Sequence, residues 1–235
     1  MTKKIFLCGA SDCFLDPDFP GLSWMEKLQN LLPEYTVETL ALEGASNFHI
    51  RLQIDRALSQ GADYLIVNFT SSARQDFKIR EDDAERDLID RFYRYHLSNN
   101  DHALACFNPA SMDRVPFISW WQKKVIGAFY RECFDLDLAI QLNYYLIQGA
   151  LDQLIQQKVP FKFSQGGFEH PSFISSPSKY NFNNYQRYQS NYNLWDCDID
   201  YTKRRPYFHI TDPAVTDQIA DYYAKEICNH FKDAV

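Results

Sequence analysis

What this chain of 235 residues lacks narrows its identity before anything it contains. Its six cysteines, at positions 8, 13, 106, 133, 197 and 228, include no C-x-x-C pair, and no histidine spacing completes a zinc site. They read as reduced thiols, with Cys8 a small buried hydrophobe inside an apolar run, and such usage fits a cytoplasmic, reducing compartment. No segment is long and apolar enough to span a membrane. The apolar run behind Met1-Thr2-Lys3-Lys4 turns polar within a few residues, too soon for a secretory signal core. Positive charge is scarce: the formal net charge is −7, and Lys203-Arg204-Arg205 is the one basic cluster. A nucleic-acid partner held through phosphate contacts is therefore not expected. Neither the glycine spacing of a dinucleotide loop nor a P-loop lysine is present, "CGASD" standing where either would begin. Asn68-Phe69-Thr70 fits a glycosylation sequon, but at a strand end in a reducing compartment it is discounted. Internal repeats and linkers are absent as well, so residues 1–235 are expected to form a single domain.

What is there suffices for a packed core: 46% of residues are hydrophobic and 16% aromatic. "KKIFLC" reads as a buried strand. "GLSWMEKLQNLLPEY" places Leu22, Met25, Leu28, Leu31 and Leu32 at helical spacing and stops at Pro33. A second strand in "YTVETLAL" precedes a helix in "SNFHIRLQIDRALSQG", capped by Ser46 or Asn47 and stopped by Gly61, and "ADYLIVNF" is a third strand. Strand, helix, strand, helix, strand with short links implies parallel strands covered on both faces. The middle is expected to be helical: residues 81–98, then "ISWWQKKVIGAFYREC" and "LDLAIQLNYYLIQGALDQLIQQ". "HALACFN" fits a strand or a helix end, and "VPFKFSQ" is a fourth strand. Regular pattern then stops at about 166–206 in a stretch rich in Tyr, Asn and Ser, which reads as a lid or as a strap over the sheet. Asp212 and Pro213 start a last helix whose buried stripe would be Val215, Ile219, Tyr222, Tyr223 and Ile227.

In an open parallel sheet, chemistry gathers at the carboxyl ends of the strands. Here the three tips are small and polar: Gly9-Ala10-Ser11-Asp12, Glu43-Gly44-Ala45-Ser46-Asn47, and Asn68 through Thr70, Ser71, Ser72 and Ala73 to Arg74. His209 stands just ahead of the last helix. Gly-x-Ser after the first strand, Gly-x-Ser-Asn after the second, a polar cluster after the third and that histidine together resemble the SGNH, or GDSL-type, hydrolase superfamily. The likeness covers residues 3–74 and 206–230. It implies a flavodoxin-like three-layer α/β/α sandwich with a central parallel sheet, and a serine esterase acting on a small ester or an acetylated sugar. By resemblance Ser11 is the nucleophile, His209 the general base and Gly44 a backbone oxyanion donor, with no metal and no organic cofactor.

Three positions depart from the family pattern. Ala10 replaces the Asp of Gly-Asp-Ser, with the acid following as Asp12. Hydroxyls at Thr70, Ser71 and Ser72 stand where an Asn donor belongs, and Pro206 occupies the place of the Asp three before the histidine. Losing the acid that orients the base costs about 10⁴ in turnover, and losing one oxyanion donor about 10² to 10³. Asp196, Asp198, Asp200 and Asp212 are candidates to replace that acid, Asp200 the first choice.

Blander roles stand beside these. Ser46 and Asn47 read first as helix caps and only second as substrate contacts. Arg74 reads as the partner of Asp76 before that of an anionic substrate group. His170 is a reserve base; His49, His96, His102 and His230 face solvent or fill gaps. Of the adjacent Trp120 and Trp121, one is expected in the core and the other under the loop. The rival to an esterase is a non-catalytic module on the same fold, binding through the crevice or the aromatic loop, as a homo-oligomer or part of a larger assembly.

Overall fold

The structure is a computed structural model. It describes residues 2–10, 13, 23–42, 44–78, 94–97, 100–107, 120–165, 182–190, 220–222 and 224–229. Lys3–Cys8 forms β1, Trp24–Leu31 α1, Tyr35–Thr39 β2, Asn47–Ser59 α2 and Tyr64–Asn68 β3. β4 (Gln75–Lys78), β5 (Arg94–Leu97) and β6 (Asn100–Phe107) follow, then α3 (Trp120–Ala128), α4 (Leu136–Gln156) and β7 (Phe161–Ser164).

Four strands make a wholly parallel sheet in the order β2-β1-β3-β7. From β1 the chain steps outward to β2 through α1, then returns through α2 to the far side of β1, where Cys8 pairs with Val67 of β3. That reversal makes the carboxyl ends of β1 and β3 the switch point of the sheet. The fold is therefore α/β with a parallel sheet and covering helices.

Alternate strand residues feed two separate cores, as the period of two in a strand requires. Phe6, Cys8, Leu65, Val67, Phe161 and Phe163 join Ile50, Ile54 and Ala57 of α2 and Ile147, Ala150, Leu151 and Leu154 of α4. Ile5, Leu7, Tyr64 and Ile66 join Trp24, Met25 and Leu28 of α1 and Ala220, Ala224 and Ile227 from the helical residues 220–222 and 224–229. Local signals set the helix starts. Ser23 and Glu26 close a capping box on α1, Ser46 caps α2, and Asp135 caps α4.

The middle of the chain differs from its expected helicity. β4, β6 and β5 form an antiparallel sheet in that order, with Gln75 opposite Phe107 and Leu97 opposite Asn100. "HALACFN" is thus strand, and residues 94–97, placed by charge pattern in a helix, pair with it. Pairing with that partner strand outweighs the amphipathic pattern of the segment. Residues 79–93 lie outside the described residues. α3 runs into one π-helical turn, Phe129–Cys133, so the single helix expected over 118–133 changes winding within its described residues. Trp120 and Trp121 are 59% and 70% exposed and pack edge to face on each other, so neither is core. Tyr222, expected in the buried stripe, is exposed; Ile227 is buried.

Of the Tyr-rich stretch, residues 182–190 are described, and they run along the outer edge of β7. Gln189 bridges Phe163 in parallel, and Ser190 N–H donates to the Phe163 carbonyl at 2.7 Å. Phe182 and Tyr185 are buried in the core, and Tyr188 stacks on Phe161 with centroids 4.4 Å apart. This covers an edge whose backbone groups would otherwise be open to pairing.

Candidate functional site

The exits of β1, β2 and β3 are tied together by backbone and by buried amides. After β1, Gly9 is gripped at both polar groups by Gln53 of α2: its N–H donates to Oε1 at 2.6 Å, and Nε2 donates to its carbonyl at 3.1 Å. Gln53 is fully buried. The same carbonyl receives Leu42 N–H from the β2 exit at 3.3 Å. A Cβ at Gly9 would lie 2.6 Å from Cys13 Sγ, so glycine is required there by close approach. Beyond it, Cys13 N–H donates to the Ala10 carbonyl at 3.1 Å, and both residues are buried.

After β2, Gly44 takes φ +75°, the left-handed region that glycine enters without strain, and Ala45 N–H returns to the Leu42 carbonyl at 3.1 Å. The tight corner delivers Ser46 to the start of α2. After β3, Asn47 does for Thr70 what Gln53 does for Gly9. Its Oδ1 accepts Thr70 N–H at 2.7 Å, and its Nδ2 donates to the Thr70 carbonyl at 2.8 Å. The second Nδ2 hydrogen goes to Asn143 Oδ1 of α4, also at 2.8 Å.

The remaining residues of the third tip divide between structure and open valence. Ser71 Oγ accepts Ala73 N–H at 3.2 Å, and Arg74 Nη1 donates to the Ala45 carbonyl at 3.0 Å, joining the second and third tips. Ser72 Oγ is buried without a hydrogen-bond partner among the described residues. An orphaned buried hydroxyl costs about 1–3 kcal/mol, which makes Ser72 the residue of this tip whose donor is open to an incoming oxygen.

Sequence reasoning missed a cluster beside these tips. Asp76, in β4, accepts the Ser46 hydroxyl at Oδ2 (2.5 Å), and its Oδ1 lies 2.6 Å from His49 Nδ1. His49 is 2% exposed, not solvent-facing, and Asp76 goes to Ser46 and His49 where pairing with Arg74 was expected. The spacing Ser46-x-x-His49 was the available signal, since the N-cap and the third helical residue always meet. Although it contains Ser, His and Asp, the cluster is not a nucleophile relay. In such a relay the serine and the acid use opposite ring nitrogens, whereas here Ser46 Oγ lies 3.3 Å from the same Nδ1 that binds Asp76. The serine proton is already committed to the carboxylate. The cluster instead fastens β4 to the amino end of α2.

No family model and no curated protein matches this chain. The site therefore rests on its own residues. Of those singled out by sequence, Gly44, Asn47, Thr70, Ser71, Ser72 and Arg74 are gathered at the exits of β2 and β3. Asn47 has both amide hydrogens engaged, so it braces the crevice and has no donor left for a substrate. Ser11, Asp200 and His209, with Asp196, Asp198, Asp212 and His170, lie outside the described residues. Among the described residues no group of three or more His, Cys, Asp or Glu side chains could hold a metal ion, and no helix is long and apolar enough to cross a membrane.

Proposed function

We propose that the chain is an SGNH-like serine ester hydrolase on a flavodoxin-like three-layer α/β/α sandwich, taking a small ester or acetylated sugar as substrate. The observation that carries this reading is the switch point. The β1 exit leading into Ser11 is clamped beside the Gly44 corner and the hydroxyl-bearing third tip. The strand order β2-β1-β3-β7 and the two cores on opposite faces favour the three-layer arrangement. The free thiols at Cys8, Cys13, Cys133 and Cys228 fit a cytoplasmic setting.

In this mechanism His209, oriented by Asp200, takes the Ser11 proton as Oγ attacks the ester carbonyl. The N–H groups of Ser11 and Gly44 and the Ser72 hydroxyl hold the developing oxyanion, preorganised donors being the largest single contribution in such sites. His209 returns the proton to the leaving alcohol, and water then cleaves the acyl-enzyme with the same base. Arg74 stands beside the third tip, its guanidinium held by the Ala45 carbonyl.

The test is covalent labelling with a fluorophosphonate, read by mass spectrometry on the folded protein. An adduct on Ser11, lost in Ser11→Ala and in His209→Ala, is the expected result; folded protein that takes no label overturns it. One observation favours a second reading, a binding module without catalysis. Asn47 is wholly engaged in structure, and Pro206 fills the place of the orienting acid. Absence of label together with retained affinity for an intact ester would select it.

A further inference from the structure

We propose that Gln53 is the positioning residue of the Ser11 nucleophile, acting through the backbone of Gly9. The inference rests on the hydrolase reading. Gln53 reaches 44 residues back along the chain to give Gly9 one acceptor, at 2.6 Å, and one donor, at 3.1 Å. That is the donor–acceptor pair a further neighbouring strand would supply, so the exit of β1 is held as firmly as its interior. With Leu42 N–H on the same carbonyl, both polar groups of Gly9 are engaged inside a dry environment, where hydrogen bonds are electrostatically strong. The approach is close on the side of Cys13 as well, since a single added carbon at Gly9 would fall 2.6 Å from its Sγ.

Ser11 is two residues from this anchor, within about 7 Å of chain. A misplacement of about 1 Å in a reacting group can cost roughly 10² in rate. The grip on Gly9 therefore fixes the point from which the chain runs on toward residue 11. Asn47 fixes the facing tip in the same way at Thr70, and the two amides stand six residues apart on one helix, so α2 sets the spacing between nucleophile strand and donor strand.

The experiment measures the rate constant of fluorophosphonate labelling at Ser11. In that reaction the Oγ–P bond forms, the P–F bond breaks, fluoride leaves and the hydroxyl proton passes to the base. Wild type, Gln53→Leu, Gln53→Glu and Ile54→Ala are compared as folded proteins, the last being an equally buried α2 neighbour that does not touch Gly9. Gln53→Leu is expected to label roughly ten- to a hundredfold more slowly, while Ile54→Ala labels at the wild-type rate despite lower stability. Gln53→Glu supplies a signature that loss of packing does not. Its carboxylate can only accept, but a protonated carboxyl again offers one donor and one acceptor. Its rate relative to wild type at the same pH is thus highest where the carboxyl is protonated and falls as rising pH ionises it, burial placing that fall above the ordinary carboxylate range. If Gln53→Leu does not fold, Gln53→Glu carries the test alone.

Labelling of Gln53→Leu at the wild-type rate, or a pH-independent ratio for Gln53→Glu, overturns the inference and leaves the hydrolase reading in place. Wild-type protein that takes no label on Ser11 overturns the hydrolase reading, and this inference with it.

Discussion

On one face of the parallel sheet, α1 and the helical residues near the carboxyl end pack Trp24, Met25, Leu28, Ala224 and Ile227 against Ile5, Leu7, Tyr64 and Ile66. On the other, α2 and α4 pack against Phe6, Cys8, Leu65 and Val67, and at the strand exits α2 also brings Asn47, His49 and Gln53 into full or nearly full burial. The same strands thus meet two kinds of partner. Apart from Cys13, which lies against Gly9, the α1 face contributes adhesion, and its helix packing can weaken without moving the crevice. On the α2 face packing and site geometry are one thing, because the helix that fills the core also holds Gly9 and Thr70.

Leu28→Ala empties a fully buried position of the α1 face, and urea denaturation should show a loss of about 3–5 kcal/mol. Fluorophosphonate labelling of the protein that stays folded should be unchanged. Asn47→Leu on the opposite face should lose about 3 kcal/mol, since it strands Thr70 N–H, the Thr70 carbonyl and Asn143 together. Here labelling should slow as well. Equal labelling in the two variants would abolish the distinction between the faces.

The two serine caps sharpen it at smaller scale. Ser23→Ala on α1 should cost about 1 kcal/mol, an ordinary N-cap loss. Ser46→Ala on α2 should cost roughly 2 kcal/mol, because its hydroxyl donates to Asp76 of another element, whereas that of Ser23 donates to Glu26 within its own capping box. Identical values in thermal melts would mean that the Ser46, His49 and Asp76 contacts contribute nothing beyond capping.

How far the sequence reached follows the same division. Buried parallel strands such as "YLIVN" are apolar throughout and flanked by helices with caps, so β1, β2, β3 and β7 and the three capped helices were legible. The β5–β6 hairpin was not. Its pairing is between segments of mixed charge, where local periodicity carries little and the partner strand decides. At the site, small polar tips announced where to look. What they did not announce was that Asn47 and Gln53 point inward, because an amide at a helix position reads the same whether it meets water or a backbone 44 residues away. For His49 the sequence left solvent and gap-filling both open for a related reason: the acid beside it stands 27 positions on, in a strand that pairs with β6.

Smaller effects fall on single groups. Tyr185 donates to Asp152 at 2.8 Å, and burial first and that carboxylate second push its phenol up to about 12. The folded state holds this proton where the unfolded chain, near pH 10, has released it. Stability should therefore fall as pH rises from about 10 to 12, and Tyr185→Phe should flatten that slope in alkaline denaturation. Cys133 is exposed whereas Cys8, Cys13 and Cys228 are buried, and burial also pushes the Cys8 thiol up. In native protein a disulfide reagent should modify Cys133 rapidly and Cys8 only after unfolding, with the smallest change in stability of any test here.

Gly9 carries a consequence for anyone who would redesign this protein. Most residues around a reactive centre can be varied and the neighbours left to adjust, but at this place the space for one carbon is already filled by the sulfur of Cys13. A selection that randomises residue 9 alone should return glycine and nothing else. Randomised jointly with residue 13, it should return a second solution only where position 13 has also become smaller. The two residues are coupled through that contact, and a library that treats them as independent sites will sample mostly failures.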